Sequence, residues 1–72
     1  MNLKRLEYFC QLAVLGNFTR AASKIGIAQP ALTIAIQKLE QEVGLKLINR
    51  AEKNALLTAE GKVLYKLASQ LL

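Results

Sequence analysis

From Leu3 to Leu15 the apolar residues Leu3, Leu6, Phe9, Cys10, Ala13 and Val14 recur at the spacing that lines one face of a helix. Asn2 can cap its start, and Gly16-Asn17 breaks the pattern with two residues that tolerate left-handed backbone. The spacing therefore predicts a first helix over 3–15. A shorter second helix follows, capped by Thr19, with Phe18 just outside it and Ala21, Ala22 and Ile25 facing inward. Gly26 then reverses the chain tightly.

A third helix is predicted over 29–43. Pro30 stands in its first turn, where a proline forfeits no helical hydrogen bond. Leu32, Ile36, Leu39 and Val43 form its inner stripe, while Gln29, Thr33, Gln37, Glu40 and Gln41 lie on or near the other side, and Gly44 ends it. The period then changes: Leu45, Leu47 and Ile48, a polar segment from Asn49 to Asn54, and Ala55-Leu56-Leu57 predict a small hairpin. Thr58 caps a last helix with Glu60 in its first turn and Val63, Leu64, Leu67 and Leu71 on one side. The reading is one domain over 1–58 followed by a helix over 59–72.

Composition narrows what such a domain does. Ten Lys and Arg against five Asp and Glu give a formal charge of +5, and the isoelectric point near 9.7 favours an anionic partner, nucleic acid ahead of an acidic membrane. One cysteine and no histidine exclude an intrachain disulfide, Cys/His zinc sites and His-based triads. Cys10 falls on the apolar stripe and is expected as a buried, reduced thiol, which fits the cytosol. No catalytic set, metal site, cofactor or small-molecule site is expected, and Glu40 and Glu42 point to different sides of one helix. The longest uncharged stretch, Ile25 to Gln37, falls short of the roughly 20 apolar residues a membrane span needs.

Two helices joined by a tight glycine turn, the second presenting Gln29, Thr33 and Gln37 from a basic domain, describe a helix-turn-helix unit. Ala21, Ala22, Ile25, Ile27, Leu32 and Ala35 are small or apolar, as an interlocking pair requires. A plain helical hairpin in a bundle fits the composition equally well.

Phe18-Thr19-Arg20-Ala21-Ala22, Ala28-Gln29-Pro30-Ala31-Leu32-Thr33, Leu39-Glu40 and Leu57-Thr58-Ala59-Glu60-Gly61, in this order and spacing, resemble the N-terminal DNA-binding domain of LysR-type transcriptional regulators. The resemblance covers nearly the whole chain. It implies a mainly α winged helix-turn-helix: a three-helix core, a recognition helix over 29–43 in the major groove, a wing over 47–57 on the backbone or minor groove, and a linker helix that pairs two subunits. Gln29, Pro30 and Thr33 match the family's groove-facing positions, and Ile34 and Gln37 extend them as base or groove contacts. Lys38, Arg50 and Lys53 match phosphate-holding positions, with Arg20 a further candidate, and Leu64, Leu67 and Leu71 are the candidate dimer contacts. The implied partner is double-stranded DNA carrying an interrupted palindrome, bound by a homodimer in the bacterial cytoplasm at the nucleoid.

The sequence departs from the family pattern in places. Ala28 replaces the usual Ser cap, a loss of about 1 kcal/mol of local helix stability, and Ile34, Ala35 and Gln37 stand where polar or basic residues are frequent. Phosphate contacts are therefore expected to lean on Lys38 and the wing, with Ile34 meeting a thymine methyl or a protein surface. The family's ligand-sensing domain of two α/β lobes has no counterpart in these residues. A winged helix that binds protein in place of DNA is the competing reading.

Overall fold

The computed structural model describes residues 2–51 and 54–72. Its elements are α1 (Leu3–Leu15), α2 (Phe18–Ile25), α3 (Gln29–Val43), β1 (Ile48–Ala51), β2 (Asn54–Leu57) and α4 (Ala59–Leu71). This is the predicted winged helix-turn-helix order. The strands pair antiparallel with Ile48 opposite Leu57 and Arg50 opposite Ala55. The hairpin is tighter than expected: Leu45, Lys46 and Leu47 precede β1, whereas Asn49 and Arg50 belong to the strand.

Each helix begins where a polar side chain or a proline resolves its free amides. The Asn2 side chain accepts from Lys4 N and Arg5 N, as anticipated. The cap of α2 is Asn17 rather than Thr19: its Oδ1 accepts from Arg20 N at 2.9 Å, and Phe18 is thereby the first helical residue. Asn17 also sits in an isolated antiparallel bridge to Asn54, and Ala55 N–H donates to Gly16 O at 3.0 Å. The α1–α2 junction thus serves as a partner for the hairpin. At α3 the Ala28 cap makes no side-chain bond and Pro30 opens the helix.

The α2–α3 turn needs a glycine. Gly26 has φ +88°, and the N–H groups of Gly26 and Ile27 both donate to Ala22 O, at 2.8 and 3.0 Å. This left-handed helix end costs an L side chain strain that glycine avoids.

Phe9, Leu12, Leu32, Leu39 and Leu47 are the largest fully buried side chains, joined by Leu6, Phe18, Ile36, Ile48 and the small residues Ala21, Ala22, Ala55 and Ala68. The α1 stripe is rotated from the periodicity reading. Leu12 is fully buried, Leu3 and Val14 are exposed, and Cys10 is only half-buried. Because α2, α3, α4 and β2 all touch α1, its buried arc is set by neighbours on several sides. Burial, and then the nearby Glu7 carboxylate, pushes the Cys10 thiol above its ordinary pKa, so it is poor as a nucleophile at neutral pH.

The last helix lies on the domain through its small residues. Gly61 and Ala68 are buried and Leu64 and Tyr65 half-buried, whereas Val63, Leu67 and Leu71 are exposed. The expected stripe therefore divides, Leu64 turning toward the core and the others outward. A Cβ at Gly61 would overlap the Leu47 carbonyl, a backbone group. Thr58 N–H donates to that same carbonyl at 2.9 Å, and the Thr58 hydroxyl donates to Lys46 O at 2.6 Å while accepting from Gly61 N at 2.9 Å. The approach of α4 is thus locked to the segment before β1.

Gly61→Ala must displace that backbone. Thermal unfolding at fixed concentration is expected to show a loss of about 2 kcal/mol, or roughly 10 °C in Tm. A Tm within a degree or two of the parent chain would contradict the close approach.

Candidate nucleic-acid interface

The outer face of α3 is built by default. Leu32, Ile36 and Leu39 lock one side into the core, leaving Gln29, Pro30, Ile34, Gln37 and Lys38 exposed and Thr33 half-buried. Ile34 is an exposed apolar side chain on this face, at 51% exposure. It stands four residues after Pro30, hence on the same side of the helix.

Beside this face runs the first strand. Arg50 of β1 lies with its guanidinium carbon 4.2 Å from the centre of the Phe18 ring, a cation–π arrangement. One of its terminal nitrogens donates to Thr33 Oγ1 at 2.7 Å, and Gln29 Nε2 donates to the same oxygen at 3.1 Å. Two expected groove residues and one expected backbone contact are therefore joined in a single chain of hydrogen bonds. Between α3 and the strand lies a cleft of about 230 Å³, bordered by Phe18, Thr33, Gln37, Lys46, Ile48 and Arg50.

The floor of that cleft is fixed by an acid. Glu40 Oε2 accepts from the N–H groups of Leu47 and Ile48 at 2.7 and 3.2 Å. Buried amides need such partners, and a carboxylate bonded to two of them is a strong one. Glu42 is paired with Arg5 at 2.8 Å, tying α3 to α1. Two of the five acids are thus occupied, and Lys38, Lys46 and Arg50 have no salt-bridge partner among the described residues. The resulting face is cationic.

Lys46, exposed on the rim of the cleft, was missed by the sequence reading. It lies before the strand where no periodicity marks it. Arg20 is exposed on α2, close to Lys24 and Ser23 around a separate hollow, and its side chain makes no hydrogen bond with the Gln29–Thr33–Arg50 chain among the described residues. Lys53 lies outside the described residues. On the far side, Val43, Leu45, Leu47, Val63, Leu64 and Leu67 line an apolar hollow of about 360 Å³. No group of three or more His, Cys, Asp or Glu that could hold a metal, and no helix long and apolar enough to cross a membrane, is found among the described residues.

Known proteins share this fold. Residues 3–62 match the bacterial regulatory helix-turn-helix proteins of the lysR family. The HTH-type transcriptional regulator BudR of Raoultella terrigena is 44% identical over all 72 residues, which are 25% of its length. TfdT of Cupriavidus pinatubonensis, also an HTH-type transcriptional regulator, is 44% identical over the whole chain, 32% of its own. The chain thus spans about a quarter to a third of these relatives. Among solved structures, that of the BenM DBD in complex with benA site 1 DNA superimposes with a TM-score of 0.93 at 41% identity, covering 99% of this chain and 83% of that one. The CbnR DBD–DNA complex gives 0.94 at 32% identity, covering 99% and 82%.

The geometry separates groups that hold the fold from groups that face outward. Glu40→Ala strands two amides and is expected to cost about 2–4 kcal/mol, whereas Arg50→Ala removes an exposed cation and is expected to cost less than about 1 kcal/mol. Urea unfolding of both variants checks this, and equal losses would contradict it.

Proposed function

The chain belongs to the lysR family of bacterial regulatory helix-turn-helix proteins, and from that premise we propose that it is the sequence-reading DNA-binding module of a transcriptional regulator. The observation that carries this reading is the cationic α3–β1 face, in which an exposed helix side and a strand arginine are joined by a hydrogen bond over the Phe18 ring. A helix fits the major groove of B-form DNA, and a hairpin beside it can follow the backbone or the minor groove.

In this reading Gln29, Pro30, Thr33, Ile34 and Gln37 meet base edges. Amide and hydroxyl groups supply hydrogen bonds, and Pro30 and Ile34 supply apolar contact for thymine methyls. Lys38, Arg50 and Lys53 hold phosphates, Arg20 adds a cation at the start of α2, and Lys46 joins them from the rim of the cleft. Phosphate contacts set affinity and register, and base contacts set sequence preference. The module comprises residues 1–58, with 59–72 beginning the pairing helix. It performs no catalysis, and it works in the bacterial cytoplasm at the nucleoid.

Two copies are expected to pair through α4. Leu67 and Leu71 are 55% and 78% exposed, and an apolar row of this kind on a helix seeks a partner. Twofold pairing would present two α3 helices to an interrupted palindrome, with half-sites one helical turn or its multiples apart. Leu64 supports the row from beneath. Sedimentation at high micromolar concentration is expected to show self-association weakened by Leu67→Glu; a strictly monomeric chain would contradict it.

Fluorescence anisotropy against a pool of genomic duplexes and a scrambled duplex, at two salt concentrations, tests the reading itself. Tight, salt-sensitive and duplex-selective binding is expected, and Lys38→Ala should reduce the log–log salt slope by about one. An absence of binding at low salt, even with a dimerising coil fused after Leu72, would overturn it in favour of the protein-contact module that exposed Ile34 would suit.

A further inference from the structure

We propose that Arg50 is a positioning residue for base reading: it fixes the hydrogen-bonding polarity of Thr33, so that Thr33 is presented to DNA as a donor only. This rests on the DNA-reading function proposed above and deepens it.

A threonine hydroxyl ordinarily offers one donor and two acceptor sites, and so accepts almost any polar partner. Here both acceptor sites are taken. Arg50 donates to Thr33 Oγ1 at 2.7 Å and Gln29 Nε2 donates to it at 3.1 Å. The first bond has only one possible polarity, because a guanidinium has five donors and no acceptor. Arg50 is itself held at two points, by this bond and by the Phe18 ring 4.2 Å from its guanidinium carbon. Phe18 is buried beneath it, 3% exposed at the start of α2. The Thr33 proton donates to no protein group among the described residues, and it is the one polar valence left to the hydroxyl.

The consequence is a defined preference. In the major groove guanine and adenine offer N7, guanine also O6, and thymine O4, all acceptors, while cytosine offers only its amino donor. A hydroxyl reduced to a donor bonds the first three and meets cytosine donor to donor. Thr33 therefore discriminates against cytosine at the base edge it contacts. The wing, through Arg50, sets that discrimination without touching the base.

The test begins with selection of the preferred duplex from a randomised pool by the parent chain. Affinities then follow for that duplex and for versions with cytosine placed singly at each position. The parent is expected to show a position where cytosine weakens binding roughly tenfold. Arg50→Met keeps an unbranched chain over Phe18 but removes the donor. It is expected to reduce that one penalty to within about threefold and leave the penalties elsewhere intact. Thr33→Val should do the same, and the double variant should do no more than either single one.

Because each penalty is a ratio between duplexes, a uniform loss of phosphate affinity cancels. Circular dichroism melts establish that each variant is folded, and Arg50→Ala, which also removes the donor to Thr33, decides the matter if Arg50→Met does not fold. A parent chain that selects a site and keeps its cytosine penalty in the variants, with affinity lowered equally for all duplexes, would overturn the inference and leave Arg50 as a phosphate contact alone. A parent chain that prefers no duplex would overturn the DNA-reading function from which it starts.

Discussion

The backbone of Leu47 is the point on which the molecule turns. Its side chain is fully buried, its N–H donates to the Glu40 carboxylate, and its carbonyl accepts from Thr58 N. Gly61 comes so close that no Cβ fits between α4 and that carbonyl. A single residue between α3 and the hairpin is thus gripped by the end of the third helix on one side and the start of the fourth on the other. A small domain has little core with which to fix a two-stranded hairpin, which is marginal by itself. Charge-assisted bonds to backbone amides fix it with few residues.

That grip gives the outer face its shape. With Ile48 also bonded to Glu40, β1 leaves α3 at a set position, and Arg50 reaches back over Phe18 to Thr33. The strand cation and the helix side chains are joined into one surface. Pre-organisation of this kind spares the ordering entropy that a loose wing would lose on meeting DNA. The acids contribute by withdrawal: Glu40 is spent on amides and Glu42 on Arg5, so the cations of α3 and β1 stand unopposed by them. The exposed leucines belong to α4, so the proposed pairing and the proposed reading fall on different elements.

Much of this was legible in the amino-acid sequence. Helices with a marked 3.6-residue period and glycine ends are legible near their observed bounds, 3–15 and 29–43, because caps and breakers there act locally. The α2 cap was misplaced by two residues, since Asn17 and Thr19 are both competent and the choice depends on the Gly16–Asn17 pairing with the hairpin. The pattern of α1 leaves out buried Leu12 and includes exposed Val14, because its buried arc is decided by four neighbouring elements and not by its own pattern. In α4 the apolar stripe points to the large side chains, whereas the fully buried residues are the small ones, Gly61 and Ala68, with Leu64 and Tyr65 packed beside them. The Gln29–Thr33–Arg50 chain could not be read at all, because it depends on register and side-chain reach between residues 17 apart.

In the proposed function α3 and β1 form one DNA-reading surface anchored at Leu47. Amide chemical shifts of the chain, followed during titration with its selected duplex, test it most directly. Large, concerted changes are expected from Gln29 to Lys38 and from Lys46 to Arg50, saturating at the same DNA concentration. Changes gathered on α1 with those two stretches unmoved, or two stretches that titrate independently, would contradict it.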